Sequence, residues 1–180
     1  MINEENISAR EGDPSDEYFM QKALELAREA ASIDEVPVGA VAVRDGRIIA
    51  VGSNMREHSK LATHHAEIIC IENACRALGG WRLPGVTLYV TMEPCVMCAG
   101  AIVNARIERV VYGAKDLRFG AFGSLVDIPS VGLNHFFLVE GGVLGEECAA
   151  VLSDYFRAKR KKGVLPLAQS QDSDEKSPTP

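Results

Sequence analysis

Apolar residues recur at helical spacing near the start of the chain. In DPSDEYFMQKALELAREAAS, residues 13–32, Tyr18, Leu24 and Ala27 begin a helical stripe. Asp13 is the expected cap and Pro14 the expected first helical residue. The period then changes. In VPVGAVAVRDGRIIAVGSN, residues 36–54, two β-branched runs flank Asp45-Gly46, which predicts a hairpin closed by a two-residue turn. A helical pattern returns from His65 to Leu78 and stops at Gly79-Gly80. VTLYVT (86–91) reads as a short strand, MEPCVMCAGAIVNARI (92–107) as a helix with Pro94 near its start, and RVVYGA (109–114) as another strand. A loop rich in Gly, Asp and Pro runs from about 115 to 134. HFFLVEG (135–141) is expected to be a fifth strand and GEECAAVLSDYFRAKRKK (145–162) a final amphipathic helix.

Helices alternating with strands after an opening hairpin imply an α/β fold, a mixed sheet covered on both faces. One domain is expected over residues 13–163, with a polar extension at 1–12 and a polar tail at 164–180 that is expected to be disordered. There is no internal repeat. In such sheets, sites gather where strands end and helices begin. THHAEI (63–68) and EPCVMC (93–98) both fall at expected helix starts.

Composition narrows the setting. The chain has 180 residues, 47% of them hydrophobic, enough for one compact domain with a sizeable core. The formal charge of -6 taken alone argues against nucleic acid as a partner. No apolar run is long enough to span a membrane, and MINEENISAR lacks the pattern of a secretion signal. Five cysteines are an odd number. They fit a reducing cytoplasm and metal-binding or buried thiols better than a disulfide framework.

The chemistry lies in the two motifs. Cys95 and Cys98 are three apart and share a helical face, and Pro94 makes them first-turn residues. There the unpaired N–H groups and the helix dipole favour the thiolate. Alone, such a pair also reads as two small core residues or a redox couple. One histidine added to two cysteines makes three ligands, which leaves a zinc ion a position for water and brings that water to a pKa of about 7. A nearby carboxylate outside the ligand set can then move protons, and Glu67 is the candidate. H-x-E followed by P-C-x-x-C is the signature of zinc-dependent nucleobase deaminases. His65-Ala66-Glu67 and Pro94, Cys95 and Cys98 match it. His64 has Ala66 where that pattern needs glutamate, although its spacing of three to Glu67 keeps it an alternative.

Other residues have quieter readings. Cys70, Cys75 and Cys148 are expected to be buried free thiols, and His58 and His135 surface or loop residues. Trp81 packs or meets a second subunit. The basic end of the last helix either complements the helix dipole or contacts phosphate.

From Asp16 to Lys161 the chain resembles the bacterial tRNA-specific adenosine deaminases of the cytidine deaminase-like superfamily. EVPVGAV, HAE, TLYVTMEPCVMCAGAIVNARI, RVVYGAKD, FGAFGS and SDYFRAKR carry the resemblance. The zinc signature is common to the superfamily, whereas NARI, GAKD with GAFGS after it, and SDYFR point to the tRNA branch. The resemblance implies a three-layer α/β/α sandwich around a five-stranded mixed sheet, one Zn2+ per subunit and a homodimer. It implies conversion of adenosine to inosine at the wobble position of tRNA, chiefly the arginine tRNA with anticodon ACG. Glu67 would shuttle protons, and His65, Cys95 and Cys98 would hold the metal. Asn54 would contact the flipped base, Asp116 the ribose and Phe156 the neighbouring nucleotides, with Ala66 and Pro94 completing the substrate contacts. The departure is SKLATHHAE, where Leu61, Ala62 and His64 stand in place of an Asp-Pro or Asp-Ala pair and a small residue. Two other functions are compatible with the zinc motif: a deaminase of a free base or nucleotide such as guanine or deoxycytidylate, and a non-catalytic zinc module. Glu67 speaks against the latter, because a structural site has no use for a proton shuttle.

Overall fold

The computed structural model describes residues 15–163. The expected cap Asp13, Pro14 and both terminal segments lie outside the described residues. In chain order the elements are α1 (Asp16–Ser32), β1 (Gly39–Arg44), β2 (Arg47–Ser53), α2 (Arg56–Ser59), α3 (Ala66–Leu78), β3 (Val86–Met92), α4 (Val96–Ala105), β4 (Arg109–Ala114), β5 (Leu138–Gly141) and α5 (Gly145–Lys161).

The opening helix is capped by Ser15, whose side chain accepts the Tyr18 N–H at 3.3 Å. Its buried stripe is Phe19, Met20, Ala23, Leu24, Ala27 and Ala30. Tyr18, read from the sequence as part of that stripe, is exposed. It stands six residues before Leu24, far from a whole number of turns, so the two cannot share a face.

Asp45 and Gly46 close the hairpin with φ of 50° and 70°. Two left-handed residues in succession give the turn whose twist suits paired strands, and Gly46 adopts its share without steric cost. The five strands line up as β2-β1-β3-β4-β5. β1 runs antiparallel to both β2 and β3, while β3–β4 and β4–β5 are parallel. This is the expected mixed sheet. β5 is shorter than HFFLVEG suggested, because pairing with β4 begins only at Arg109↔Leu138.

Alternation along each strand builds two cores. Val41, Val43, Tyr89 and Val111 face α1 and α5, with Phe19, Met20, Leu24 and Cys148. Ala40, Ala42, Leu88, Val90 and Val110 face α3 and α4, with Cys70, Ile71, Ile102 and Val103. The architecture is therefore the three-layer α/β/α sandwich.

Backbone contact is close where α3 meets β2. A Cβ on Gly52 would lie 2.3 Å from the Ala66 carbonyl oxygen and 2.6 Å from the Cys70 nitrogen. Only glycine permits that approach. At the opposite end, Arg109 clamps both carboxylate oxygens of Asp16 at 2.8 and 2.7 Å, and the Tyr89 hydroxyl donates to Asp16 at 2.6 Å. This network ties the start of α1 to β3 and β4.

Cys70 and Cys148 are buried free thiols as expected, whereas Cys75 is only partly buried, its Sγ 3.7 Å from the Trp81 carbonyl. Trp81 is exposed and carries the Arg82 guanidinium 3.9 Å from its ring centroid. No helix among the described residues is long and apolar enough to cross a membrane.

Candidate metal and active site

Two helices begin beside the C-terminal end of β3. His65 is the N-cap of α3 and Cys95 the N-cap of α4, both in extended backbone. Cys95 thus stands one residue before the first turn in which the sequence reading placed it. Cys98 lies within that turn and is fully buried.

The geometry joins these residues. His65 Nδ1 is 3.7 Å from Cys95 Sγ and 3.6 Å from Cys98 Sγ. Zinc bonds of about 2.0–2.1 Å to nitrogen and 2.3 Å to sulfur at tetrahedral angles separate such atoms by about 3.6 Å. The three donors therefore fit a zinc ion through Nδ1. Among the described residues, His65, Cys95 and Cys98 are the cluster of metal-ligating type. His64 is outside it. Its N–H donates to Leu61 O at 3.1 Å, and its carbonyl accepts the Met55 N–H at 3.1 Å.

The charges follow from the contacts. The Cys98 thiol donates to Cys95, and with the His65 ring it brings the Cys95 pKa down to about 4 despite burial. Cys98 is raised in return, first by its bond to Cys95 and then by burial. The Cys95 sulfur raises His65. Burial raises Glu67, which accepts from the Cys98 thiol. Glu67 is 4% exposed, one residue into α3.

A cavity of about 350 Å³ opens over these groups. His65, Glu67 and Cys95 line it together with Asn54, Asp116 and Phe156, while Arg56, Arg118 and Phe119 also border it and are exposed. Its volume lies within the range of small-molecule pockets, about 300–1,000 Å³. A larger hollow of about 820 Å³ adjoins it through Val36 and Phe156. That hollow contains none of the ligand cluster, so the chemistry belongs to the smaller cavity. Ala66 and Pro94 do not line the cavity. Both are buried: the Ala66 carbonyl faces Gly52, and the Pro94 carbonyl accepts the Ala121 N–H at 2.8 Å.

Two buried carboxylates organise the cavity wall, and the sequence reading gave neither of them a role. Glu35, 0% exposed, accepts Asn54 Nδ2 on Oε2 at 2.9 Å. Its Oε1 accepts the His58 N–H at 2.7 Å and the His58 ring Nδ1 at 3.0 Å. His58 is exposed, as expected, and its ring and N–H are also tied to this buried carboxylate. Glu93 accepts the Asp116 N–H at 3.1 Å, the Phe122 N–H at 2.9 Å and the Ser124 N–H at 3.2 Å, together with the Ser124 hydroxyl. Burial would raise Glu93, but these donors outweigh it and hold the pKa low. The loop that carries Asp116 is thereby folded onto one carboxylate. Asp116 in turn accepts the Arg118 and Phe119 N–H groups at 3.0 and 3.2 Å.

Comparison with known proteins agrees with this geometry. Residues 14–160 match the MafB19-like deaminase family. The tRNA-specific adenosine deaminase of Bacillus subtilis (strain 168) is 49% identical over 148 residues, 82% of this chain and 92% of that protein. The Haemophilus influenzae protein of the same name is 45% identical over 85% of this chain and 90% of its own length. Among solved structures, a tRNA:A34 deaminase studied for A-to-I editing at the wobble position of transfer RNA superposes with a TM-score of 0.73 at 50% identity, over 74% of this chain and 98% of that one. The guanine deaminase of Nitrosomonas europaea superposes with a TM-score of 0.71 at 25% identity, over 78% and 84%.

Proposed function

This chain belongs to the MafB19-like deaminases and, among them, to the tRNA-specific adenosine deaminases, and from that membership we propose that it is a zinc-dependent hydrolase converting adenosine to inosine at the wobble position of tRNA. The arginine tRNA with anticodon ACG is the proposed substrate. The observation that carries the reading is a buried glutamate, Glu67, which lines the same cavity as His65 and Cys95 of the His65, Cys95 and Cys98 cluster.

Bound there, zinc would supply the Lewis acidity that makes water a nucleophile at neutral pH. Glu67 takes one proton from the attacking water and delivers it to the purine ring nitrogen, then carries the second proton of that water to the departing amino group. The water oxygen becomes bonded to C6, the C6–N6 bond breaks, and ammonia leaves. Burial suits Glu67 to this work because its raised pKa favours holding a proton between transfers. Asn54 meets the base, Asp116 the ribose, and Phe156 the adjoining nucleotide. A base reaches this depth only after leaving its stack, as in an opened anticodon loop.

One zinc per subunit, a homodimer and a cytoplasmic location complete the proposal. Exposed apolar side chains at Val96, Leu125, Val131, Leu133 and Phe136, on α4 and the loop before β5, support a protein partner. The resemblance to a guanine deaminase favours one competitor, a free-base enzyme. Incubation with an ACG anticodon stem-loop, free adenosine and guanine side by side, followed by mass spectrometry of the products, separates them. Inosine formed in the stem-loop supports the proposal. Turnover of guanine with an unchanged stem-loop overturns it.

A further inference from the structure

We propose that Glu35 is a positioning residue for this reaction: it holds the Asn54 amide in one orientation, so that the cavity accepts the amino edge of adenine and disfavours the carbonyl edge of the product. The inference rests on the functional reading above, in which Asn54 meets the base.

Glu35 touches neither the ligand cluster nor the cavity surface. It is nevertheless completely buried, and each of its oxygens receives donors from the segment that leads into the site. Hydrogen bonds from the His58 N–H, the His58 ring and the Glu57 N–H outweigh the effect of burial and keep the carboxyl ionised at neutral pH. An ionised carboxylate only accepts. The group 2.9 Å away on Asn54 must therefore be the NH2, and the ring nitrogen of His58 that faces Glu35 must carry its proton.

This fixes what Asn54 can offer. Its backbone is anchored by a hydrogen bond from its N–H to Val38 O at 3.0 Å, and the residue is 5% exposed where it lines the cavity. With one N–H spent on Glu35, one N–H and Oδ1 remain. An amide presenting one donor beside one acceptor pairs with adenine at N7 and the N6 amino group. All polar capacity of the side chain is then used. In the product, the amino donor has become a carbonyl acceptor, and it would face Oδ1, another acceptor. Turning the amide over would relieve that clash but would set Oδ1 against a buried carboxylate, which the interior opposes. The same pair of residues thus favours substrate and helps to expel product.

The test uses the full chain with Glu67→Gln, which leaves substrate unconverted. Binding of ACG stem-loops carrying adenosine or inosine at the target position is measured with and without Glu35→Gln. The parent is expected to prefer adenosine by about tenfold, the scale of one misplaced buried hydrogen-bonding group. A glutamine can donate as well as accept, so Glu35→Gln frees the amide. The preference should fall toward one, with inosine bound more tightly than before. His58→Ala removes the ring donor to Glu35 but keeps the backbone N–H of residue 58, and should leave the preference in place. Zinc content and thermal midpoint report on folding. If Glu35→Gln weakens both loops equally, or changes neither, Glu35 has only a structural role and the inference is overturned. If that variant does not fold, equal binding of the two loops by the parent overturns it as well. Failure of the wild-type chain to deaminate the adenosine loop would remove the functional reading itself, a separate outcome.

Discussion

His65 Nδ1 lies 3.6 Å from Cys98 Sγ, although 33 residues separate them in the chain. The neighbouring His64 takes no part in that cluster. His65→Ala should therefore abolish zinc binding, while His64→Ala keeps about one zinc per chain, as read by elemental analysis. Metal loading should also release protons, because Cys98 and His65 both hold theirs more tightly than usual. Lowering the pH then favours protons over metal, and zinc content should fall on the acid side. Loss of metal from His64→Ala with retention in His65→Ala would reverse the assignment.

Glu67→Ala should retain zinc and fold. Its single-turnover rate should drop by about 10²–10⁴, the usual contribution of a general acid–base group. Near-normal inosine formation by this variant would remove Glu67 from the mechanism.

The Asp16–Arg109 pair predicts a particular pH dependence. The Arg109 hydrogen bonds hold Asp16 below the ordinary carboxylate range. A lowered folded pKa adds stability above the unfolded value of about 3.9, and that stability is lost as pH falls through the folded value. Arg109→Met should cost about 1–3 kcal/mol at pH 7, the scale for stranding a paired charge. The gap to wild type should narrow in acid. Urea midpoints measured at neutral pH and near pH 3 check this, and a gap that stays constant would show that Arg109 acts through packing alone.

Net charge and RNA binding can be separated at the end of α5. Lys159 is held by Asp34, and Arg157 by Asp154. Arg160, Lys161 and Lys162 are exposed, with no acidic partner within salt-bridge distance among the described residues. Replacing these three with Gln should weaken stem-loop binding. The slope of log K against log salt should shrink by up to about 0.7–0.9 per lost phosphate contact. Zinc content and single-turnover chemistry on saturating RNA should be unchanged. Identical affinity and slope would assign the cluster to the helix dipole.

The hairpin and the two helix starts were legible because their signals are local. Asp45-Gly46 demands left-handed backbone, and H-x-E and P-C-x-x-C keep their chemistry within single turns. The choice between His64 and His65 was legible only as a pattern match, since helical spacing alone favours His64, three residues before Glu67, and the extended backbone of the N-cap His65 follows from where the helix starts. What the sequence hid is long-range. Glu35 reads as an ordinary surface acid in SIDEVP, and nothing near it announces Asn54, 19 residues later. Glu93 stands inside EPCVMC, yet its donors come from the loop 23 to 31 residues on. The Tyr18 stripe failed for a different reason. An aromatic beside Phe19 looks equally apolar in composition, but at 3.6 residues per turn Tyr18 falls off the face that holds Leu24 and Ala27, and Phe19 takes the inside place.

The contact at Gly52 bears on how this enzyme could be altered. Because β2 and the first turn of α3 touch backbone to backbone, the hairpin and the helix carrying Glu67 form one mechanical part. The spacing of His65 and Glu67, the candidate metal ligand and proton shuttle, from the sheet is then inherited from main-chain packing and is insulated from side-chain change around the cavity. Variation aimed at new substrates can be concentrated on Arg56, Arg118, Phe119 and Phe156, which border the cavity without setting that spacing. A library built there samples recognition while the reactive centre stays constant, whereas a single methyl group at position 52 would move the whole part at once.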